Sequence, residues 1–148
     1  MRRNEKGKGK RRREKGKEEG RGEVDDEQWE LLIPEVIGCM IAVHKELGPG
    51  FIESVYHRAL KMELERRGIP FETEKEIPIC YQGTDIGTHR LDLFVAGMLV
   101  VELKTVESIA AIHYAKVRSY LKAANQPVGL LANFAATPLD CRRVERKH

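Results

Sequence analysis

The stretch from Arg90 to Lys104 constrains the fold of this chain more than any other. It contains two apolar runs on either side of Gly97, with Asp92 in the first run and Glu102 in the second. Two such runs around a glycine-containing turn predict a β-hairpin. Carboxylates are depleted in strands and their burial costs free energy, so two of them in a hydrophobic hairpin need a physical reason.

A divalent metal would supply that reason, because it converts two buried anions into ligands. Lys104 follows Glu102 by two residues, which places it on the same face of the strand, within reach of a phosphate or an attacking water. This arrangement is typical of a metal-dependent phosphodiesterase. The alternative is a solvent-facing polar row on an antiparallel hairpin, which alternation often produces.

The length of the hairpin loop decides whether the two carboxylates share a face. A two-residue turn at Ala96-Gly97 would pair Asp92 with Val101 and place Asp92 and Glu102 on opposite faces. A three-residue loop changes the parity, and Gly97 can supply the left-handed conformation that such loops commonly use. The metal site therefore requires an odd-length loop or a bulge.

Further motifs extend from the first half of the chain to its last strand. They are His44-Lys45-x-Leu47-Gly48-Pro49-Gly50, Gly50-x-x-Glu53-x-x-Tyr56, Tyr81-x-Gly83, Gly87-x-x-Arg90-x-Asp92, Glu102-x-Lys104, Tyr120-Leu121-Lys122 and Leu130-Leu131-x-Asn133-Phe134. In combination they resemble the small bacterial GxxExxY family of the PD-(D/E)xK nuclease superfamily, over about residues 30 to 146.

This resemblance implies both a fold and a reaction. The fold is α/β, a single PD-(D/E)xK nuclease-like domain whose central mixed four-stranded sheet is flanked by helices in the order ααβββαβ. The reaction is hydrolysis of phosphodiester bonds in nucleic acid, DNA in preference to RNA. Asp92, Glu102, the backbone carbonyl of Leu103 and Glu53 would hold Mg²⁺ or Mn²⁺. Lys104 would orient the water or stabilise developing charge.

Four residues are candidates for accessory roles: Tyr56, Arg90, Lys116 and Tyr120. Members of the family carry Gln-x-x-x-Tyr in the helix after Glu-x-Lys, whereas this chain has Lys116 in place of the glutamine. The lysine would either hold a phosphate or repel the metal, and the sequence leaves both open. His44 and His113 are either acid–base groups or ordinary helix-surface histidines.

Periodicity predicts the elements around these motifs. Glu53 lies at the edge of the apolar stripe of the second helix, where it would serve either a metal or the helix dipole. Gly48-Pro49-Gly50 is predicted to end the first helix. The predicted helices cover residues 33–47, 51–67 and 108–124, and the predicted strands cover 71–81, 86–95, 99–104 and 127–134. Whether a final short strand follows stays open.

Charge and composition predict a basic tail, residues 1–25, before one domain, residues 26–148. Residues 1–22 hold 11 Lys/Arg and 4 Glu, a net charge of +7, which leaves −4 for the rest of a chain whose total is +3. The tail has too few apolar residues to order itself. It would act either as a basic arm on nucleic acid or as a solvated extension.

The remaining composition narrows the class of protein. Three scattered cysteines without a C-x-x-C pair suggest neither disulfides nor a zinc or iron–sulfur site. The sequence has no apolar run of bilayer length and no signal segment, so we expect a cytoplasmic protein without a membrane partner. The oligomeric state stays open.

Two other functions compete with the nuclease. One is a catalytically inactive nucleic-acid-binding or regulatory module of the same fold, because a fold alone does not prove function. The other is a protein–protein adaptor. The presence of Asp92, Glu102 and Lys104 together favours the enzyme over both.

Overall fold

A computed structural model describes the backbone of residues 16–146 and the side chains of residues 26–146. The chain divides into two units, one ending at Val36 and one beginning at Ile37. The described part of the first unit is entirely helical and belongs to helix α1, Gly16–Leu47. This helix begins inside the segment 1–25 that the sequence assigned to a disordered tail, and the rest of that prediction, residues 1–15, lies outside the described residues.

The described residues form three helices and a mixed five-stranded sheet. The sheet order is β1-β2-β3-β4-β5, with β3 and β4 parallel and the other neighbours antiparallel. None of the described helices has both the length and the apolar content to cross a bilayer. The elements in chain order are α1 (Gly16–Leu47), α2 (Glu53–Arg66), β1 (Phe71–Tyr81), β2 (Thr84–Val95), β3 (Leu99–Lys104), α3 (Ala111–Ala124), β4 (Val128–Asn133) and β5 (Asp140–Glu145).

Helix α1 ends at the residue that the sequence predicts, but it begins at Gly16 instead of residue 33, and α2 begins at Glu53 instead of residue 51. Helix α1 stops at Leu47, where Gly48 has φ 71° and its N–H donates to the carbonyl of His44 at 2.8 Å. A glycine in this left-handed conformation is a common helix terminus. In α2 the buried residues are Tyr56, Leu60 and Leu64. Their spacing of four residues places them on one face of the helix.

Helix α3 makes the crossover between the parallel strands β3 and β4. Every residue of β4 is buried, as expected for an interior strand of a sheet covered on both faces. A Cβ added at Gly129 would lie 2.9 Å from the carbonyl oxygen of Val100, so this position requires glycine's small size. Strand β1 forms one edge of the sheet, which suits the proline it carries, Pro78.

The predicted four-stranded sheet is wrong by one strand. Strand β5 pairs with β4 from Val128↔Glu145 to Asn133↔Asp140 and forms the second edge. Its sequence is polar, and Val144 is its one buried residue. The strand exists because β4 offers it a row of backbone hydrogen-bonding groups, and not because its own side chains form a hydrophobic face.

The core beside α3 joins this helix to the sheet. Its buried residues are Leu91, Phe94, Val100, Val117, Tyr120, Leu121, Leu131 and Val144. His113, one of the histidines considered for chemistry, accepts a hydrogen bond at Nδ1 from the backbone N–H of Ala110 at 2.9 Å. Its role in the structure is to cap the first turn of α3.

Candidate active site

The hairpin between β2 and β3 has the loop that the shared-face hypothesis requires. Val95 pairs with Leu99, so three residues form the loop. Ala96 has φ 55° and Gly97 has φ 68°, both in the left-handed region. The pairing runs from Val95↔Leu99 to Leu93↔Val101, and Asp92 and Glu102 are the residues that follow the last pair on the two strands.

Asp92 lies at an interruption in the ladder between β1 and β2. The pairing continues on both sides but skips Glu74 and Asp92, and Glu74 has φ 53°. Leu91 and Phe94 are three residues apart yet pack in the same core cluster, so β2 changes the direction of its side chains at this point. The interruption leaves the Asp92 side chain 47% exposed and turned toward α2.

Three side chains from two elements meet there. Glu53, His57 and Asp92 each offer a ligand atom, and these atoms lie within 4.8 Å of one another. The Nε2 atom of His57 is 3.8 Å from an oxygen of Glu53 and 3.7 Å from an oxygen of Asp92. Glu53 and His57 are four residues apart on α2, so one helix face carries both. We call these three residues the α2 group.

The chemistry of the α2 group fits a divalent cation. His57 Nε2 is buried and has no hydrogen-bond partner among the described residues. Burial lowers the pKa of His57, against the opposing charges of Asp92 and Glu53, and so favours the neutral imidazole that binds metals. Atoms bound at roughly 2.0–2.2 Å to one cation lie about 3–4 Å from each other. The distances from His57 Nε2 to the two carboxylates fall in that range.

A cavity of about 390 Å³ opens beside the α2 group. Besides the three candidate ligands, it is lined by Lys61 and Glu74. Arg90 reaches its rim, because the guanidinium lies 3.3 Å from the Glu74 carboxylate. The cavity therefore combines three carboxylates with one lysine, Lys61, and Arg90 is paired with one of those carboxylates. A cation held by the α2 group would add positive charge for a phosphate group.

Glu102 and Lys104 form a second, more buried pair. The Nζ atom of Lys104 lies 3.3 Å from a Glu102 carboxylate oxygen, and their side chains are 17% and 4% exposed. Burial raises the pKa of Glu102, Asp92 raises it further, and Lys104 and Lys116 oppose the shift. Leu103, between them, is fully buried and pairs with Ala132.

Glu102 is not part of the α2 group among the described residues. The charge of Asp92 nevertheless acts on Glu102 as well as on His57, since it raises both pKa values. Asp92 is thus the electrostatic link between the α2 group and the Glu102–Lys104 pair.

Helix α3 adds two of the sequence candidates near Glu102. Burial raises the pKa of Tyr120 to about 12, with further contributions from Glu102 and Asp92. The Nζ atom of Lys116 lies 5.9 Å from the centre of the Tyr120 ring, a cation–π distance. The His89 ring packs edge-on against the Tyr120 ring, with 4.6 Å between the ring centres. Lys116 and Tyr120 therefore lie on the Glu102 side of the site.

Tyr56 has a different role from the other candidates, because it anchors the loop that precedes Glu53. Its ring is fully buried against Phe134, with 4.8 Å between ring centres. Its O–H donates to the carbonyl of Gly48 at 2.5 Å and accepts from the N–H of Phe51 at 3.2 Å. The spacing of Gly50, Glu53 and Tyr56 therefore fixes the start of α2, and with it the position of the Glu53 side chain.

Replacing Tyr56 with phenylalanine should weaken metal binding as well as stability. The loss of two hydrogen bonds at a part-buried hydroxyl should reduce the free energy of unfolding by about 1–2 kcal/mol. The freed loop should also lower the affinity for Mn²⁺, measured by calorimetry. A matched control is Leu64→Val, which removes buried volume elsewhere in α2 for about 1 kcal/mol. Equal Mn²⁺ affinity in wild type and Tyr56→Phe would show that the hydroxyl supports only the fold.

Asn133 fixes the chain beyond Lys104. Its side-chain oxygen accepts from the N–H groups of Val106 and Ala135, each at 3.1 Å, and its amide donates to the carbonyl of Val106 at 2.8 Å. The N–H of Phe134 donates to the carbonyl of Lys104 at 2.8 Å. The Leu-Leu-x-Asn-Phe motif therefore holds the end of β3 in place.

Sequence reasoning missed His57. The available signal was its position four residues after Glu53, which places a second ligand-type side chain on the same helix face. His44, which the sequence offered instead, is buried with its ring tilted against Phe134, 6.0 Å between ring centres. The Nε2 atom of His44 is also buried without a hydrogen-bond partner among the described residues, so the structure adds His57 to the histidine candidates.

Comparison with known proteins places the described geometry in a family context. A model of the PD-(D/E)XK nuclease superfamily matches residues 30–145. No curated protein matches the chain. Among solved structures, the crystal structure of SSO0001 resembles this chain with a TM-score of 0.51 and 20% identity, covering 64% of this chain. The chain spans about half of that protein, 50%, and at this identity the likeness concerns the fold alone.

Proposed function

The chain belongs to the PD-(D/E)XK nuclease superfamily, and on that premise we propose that it is a metal-dependent phosphodiesterase that hydrolyses nucleic acid. The observation that carries the proposal is the buried, unpartnered Nε2 atom of His57, which lies 3.7–3.8 Å from two carboxylates. Such an atom without a ligand leaves a polar group buried and unsatisfied, which proteins generally avoid.

We assign five groups as ligands of the metal. They are the side chains of Glu53, His57, Asp92 and Glu102 and the backbone carbonyl of Leu103. When bound, a divalent cation supplies polarisation of the phosphoryl oxygen and a more acidic water. The expected ion is Mg²⁺ or Mn²⁺, and the imidazole of His57 favours Mn²⁺ over Mg²⁺, because Mg²⁺ binds mainly oxygen ligands.

The chain's own side chains would carry out the remaining tasks. Lys104 would hold the attacking water or stabilise the charge that develops on the phosphoryl group. Lys116 and Arg90 would bind substrate phosphates as positive charges on either side of the site. Tyr120 would keep its proton at neutral pH, since its pKa is raised to about 12, and so it would donate a hydrogen bond.

Membership of the GxxExxY family, a DNA substrate in preference to RNA, and a cytoplasmic location are finer parts of the proposal. The first rests on Gly50, Glu53 and Tyr56, whose spacing fixes the start of α2 through the hydroxyl of Tyr56. The second follows from the resemblance described above. The third rests on the spacing of the three cysteines, which are scattered along the sequence without a C-x-x-C pair.

A catalytically inactive binding module is the second candidate. The observation in its favour is that Glu102 is already paired with Lys104 at 3.3 Å and lies apart from the α2 group among the described residues. A module of this kind would keep the fold and the positive charges of Lys116 and Arg90, and it would bind nucleic acid without cleaving it.

The test is Mn²⁺ titration by calorimetry together with cleavage of labelled DNA and RNA. We expect His57→Gln to lower Mn²⁺ affinity by more than about tenfold, the loss seen when even an outer-shell partner of a metal ligand is removed. His113→Gln, which removes an imidazole at the start of α3, is the matched control and should leave the affinity unchanged. A wild-type protein that neither binds Mn²⁺ nor cleaves would favour the binding module.

A further inference from the structure

A second cavity, of about 720 Å³, lies where the tips of β1 and β2 meet the last turns of α3. We call it the α3 groove. Tyr81 and Ile86 form one wall, and both are 63% exposed although they are large apolar residues. Lys122 and Arg146 contribute positive charge, and no carboxylate of residues 26–146 lines the groove.

The cations of the α3 groove are held in place. Arg146 donates from Nη1 to the side-chain oxygen of Asn125 at 2.8 Å. Its backbone N–H donates to the backbone carbonyl of Pro127 at 3.0 Å. Lys122 lies in the last turn of α3, where a cation also interacts favourably with the helix dipole. The helix dipole accounts for the position of Lys122. It does not account for two exposed large apolar residues, Tyr81 and Ile86, that line the same cavity as the cations.

One lining residue of the α3 groove, His89, contacts a residue on the Glu102 side of the candidate active site, Tyr120. His89 lines the groove and packs edge-on against Tyr120 at 4.6 Å. The Nζ atom of Lys116 lies 5.9 Å from the centre of the same Tyr120 ring. Lys116 and Lys122 are six residues apart, about 9 Å along the helix axis.

We propose that the α3 groove binds an unpaired strand of nucleic acid, with a base stacked on Tyr81 and phosphates at Lys122 and Arg146, and leads it past Lys116 to Glu102. Base stacking on an exposed aromatic side chain beside a row of cations is how sequence-tolerant single-strand sites work. A duplex would not present an unstacked base to Tyr81. This inference deepens the proposed nuclease function and rests on it for the fate of the bound strand.

Binding is measured by fluorescence anisotropy in EDTA, so that it does not depend on metal or on hydrolysis. The probes are a short labelled DNA strand, an RNA of the same sequence and the corresponding DNA duplex. We expect the single strands to bind more tightly than the duplex. Tyr81→Ala should weaken single-strand binding about tenfold or more, whereas Tyr81→Phe, which keeps the stacking surface, should bind like wild type.

Salt dependence separates the phosphate contacts from a general loss of folding. For Lys122→Ala, the slope of log affinity against log salt should fall by about 0.7, the value for one phosphate of a single strand. Lys45→Ala, an exposed lysine outside the groove, is the matched control and should keep the wild-type slope.

Protection of Cys80 is a second measurement, and it uses the wild-type protein. Because Cys80 is exposed and lines the groove, a bound strand should slow its reaction with maleimide.

Three results would overturn the inference. They are equal binding by Tyr81→Ala and wild type, equal affinity for strand and duplex, and Cys80 reactivity that bound strand does not change. A wild-type protein that cleaves with Mn²⁺ but shows any of these keeps its proposed function and loses only the α3 groove. A protein that binds strands through Tyr81 and Lys122 but never cleaves keeps the groove and loses the reaction.

Discussion

Asp92→Asn should abolish the stabilisation of the protein by Mn²⁺ while leaving the metal-free protein at least as stable as wild type. Asp92 is one of three potential ligands of the α2 group, and its charge also raises the pKa of Glu102. Without a metal, the carboxylates of Glu53, Asp92 and Glu102 repel one another. Removal of one negative charge relieves that repulsion, and the exposed position of Asp92 limits the gain to a small one.

The size of the lost metal effect follows from linkage. A ligand that binds only the folded state at 100 times its dissociation constant stabilises it by about 2.7 kcal/mol. For a domain of this size the melting temperature should rise by on the order of 10 °C. We expect wild type to show this rise in millimolar Mn²⁺ and Asp92→Asn to show almost none, measured by differential scanning calorimetry with and without EDTA.

Asp85→Asn is the matched control for this change. Asp85 is an exposed aspartate at the β1–β2 turn, and its carboxylate accepts a hydrogen bond from the N–H of Gly87 at 3.2 Å. Asparagine can make the same turn contact, so the fold should be unaffected. The control should keep the full Mn²⁺ shift. A full shift in Asp92→Asn would remove Asp92 from the metal site.

The odd-length loop of the hairpin that carries Asp92 and Glu102 could be predicted from strand parity, but the direction of the Asp92 side chain could not, because the ladder interruption turns it toward α2. The sequence gives the bounds of β3, Leu99–Lys104, and the requirement of an odd-length loop, and the structure has a three-residue loop. Glycine at position 97 and the alternation of apolar residues carry that information. The position of Glu53 relative to the same site follows from its place at the edge of the apolar stripe of α2.

Three features could not be predicted from local pattern. Strand β5 has a single buried residue, Val144, so neither hydrophobicity nor alternation marks it. The ladder interruption at Asp92 depends on the left-handed conformation of Glu74, which a non-glycine residue adopts only in a specific tertiary context. His57 became a candidate only when the fold brought α2 against this interruption.

Division of the site into two parts changes what each residue is expected to do. The α2 group has ligand-type atoms and an unpartnered imidazole nitrogen, so it is suited to hold a metal. The Glu102–Lys104 pair is buried and lies beside two further polar groups of α3, Lys116 and Tyr120. Glu102 is therefore suited to complete the metal site, and Lys104 to stabilise charge at the reacting phosphate. Substitutions in the two parts should therefore have different effects.

Lys104→Met should reduce cleavage by about 10²–10³-fold while preserving the Mn²⁺-induced rise in melting temperature at neutral pH or above. Removal of one preorganised donor to developing charge typically has an effect of this size on the rate. Methionine keeps most of the buried side-chain volume, and Lys45→Met is the control for the same change on an exposed lysine. Loss of the Mn²⁺ shift in Lys104→Met at every pH would show that Lys104 supports coordination instead of the reaction.

The pH dependence of Lys104→Met gives the sign of the electrostatic coupling. Burial already raises the pKa of Glu102, and Lys104 opposes that shift, so the variant should hold the Glu102 proton to a higher pH than wild type. A raised pKa in the folded state means that stability falls as pH rises from the ordinary value of a glutamate through the raised value. In Lys104→Met this pH range extends to higher pH. The melting temperature of the metal-free variant should therefore lie furthest below that of wild type at pH values above the range, and the difference should vanish in acid.

Mn²⁺ must displace the same Glu102 proton. The pH at which half of the Mn²⁺-induced rise in melting temperature is lost should therefore be higher in Lys104→Met than in wild type. An unchanged midpoint would show that Glu102 does not bind the metal.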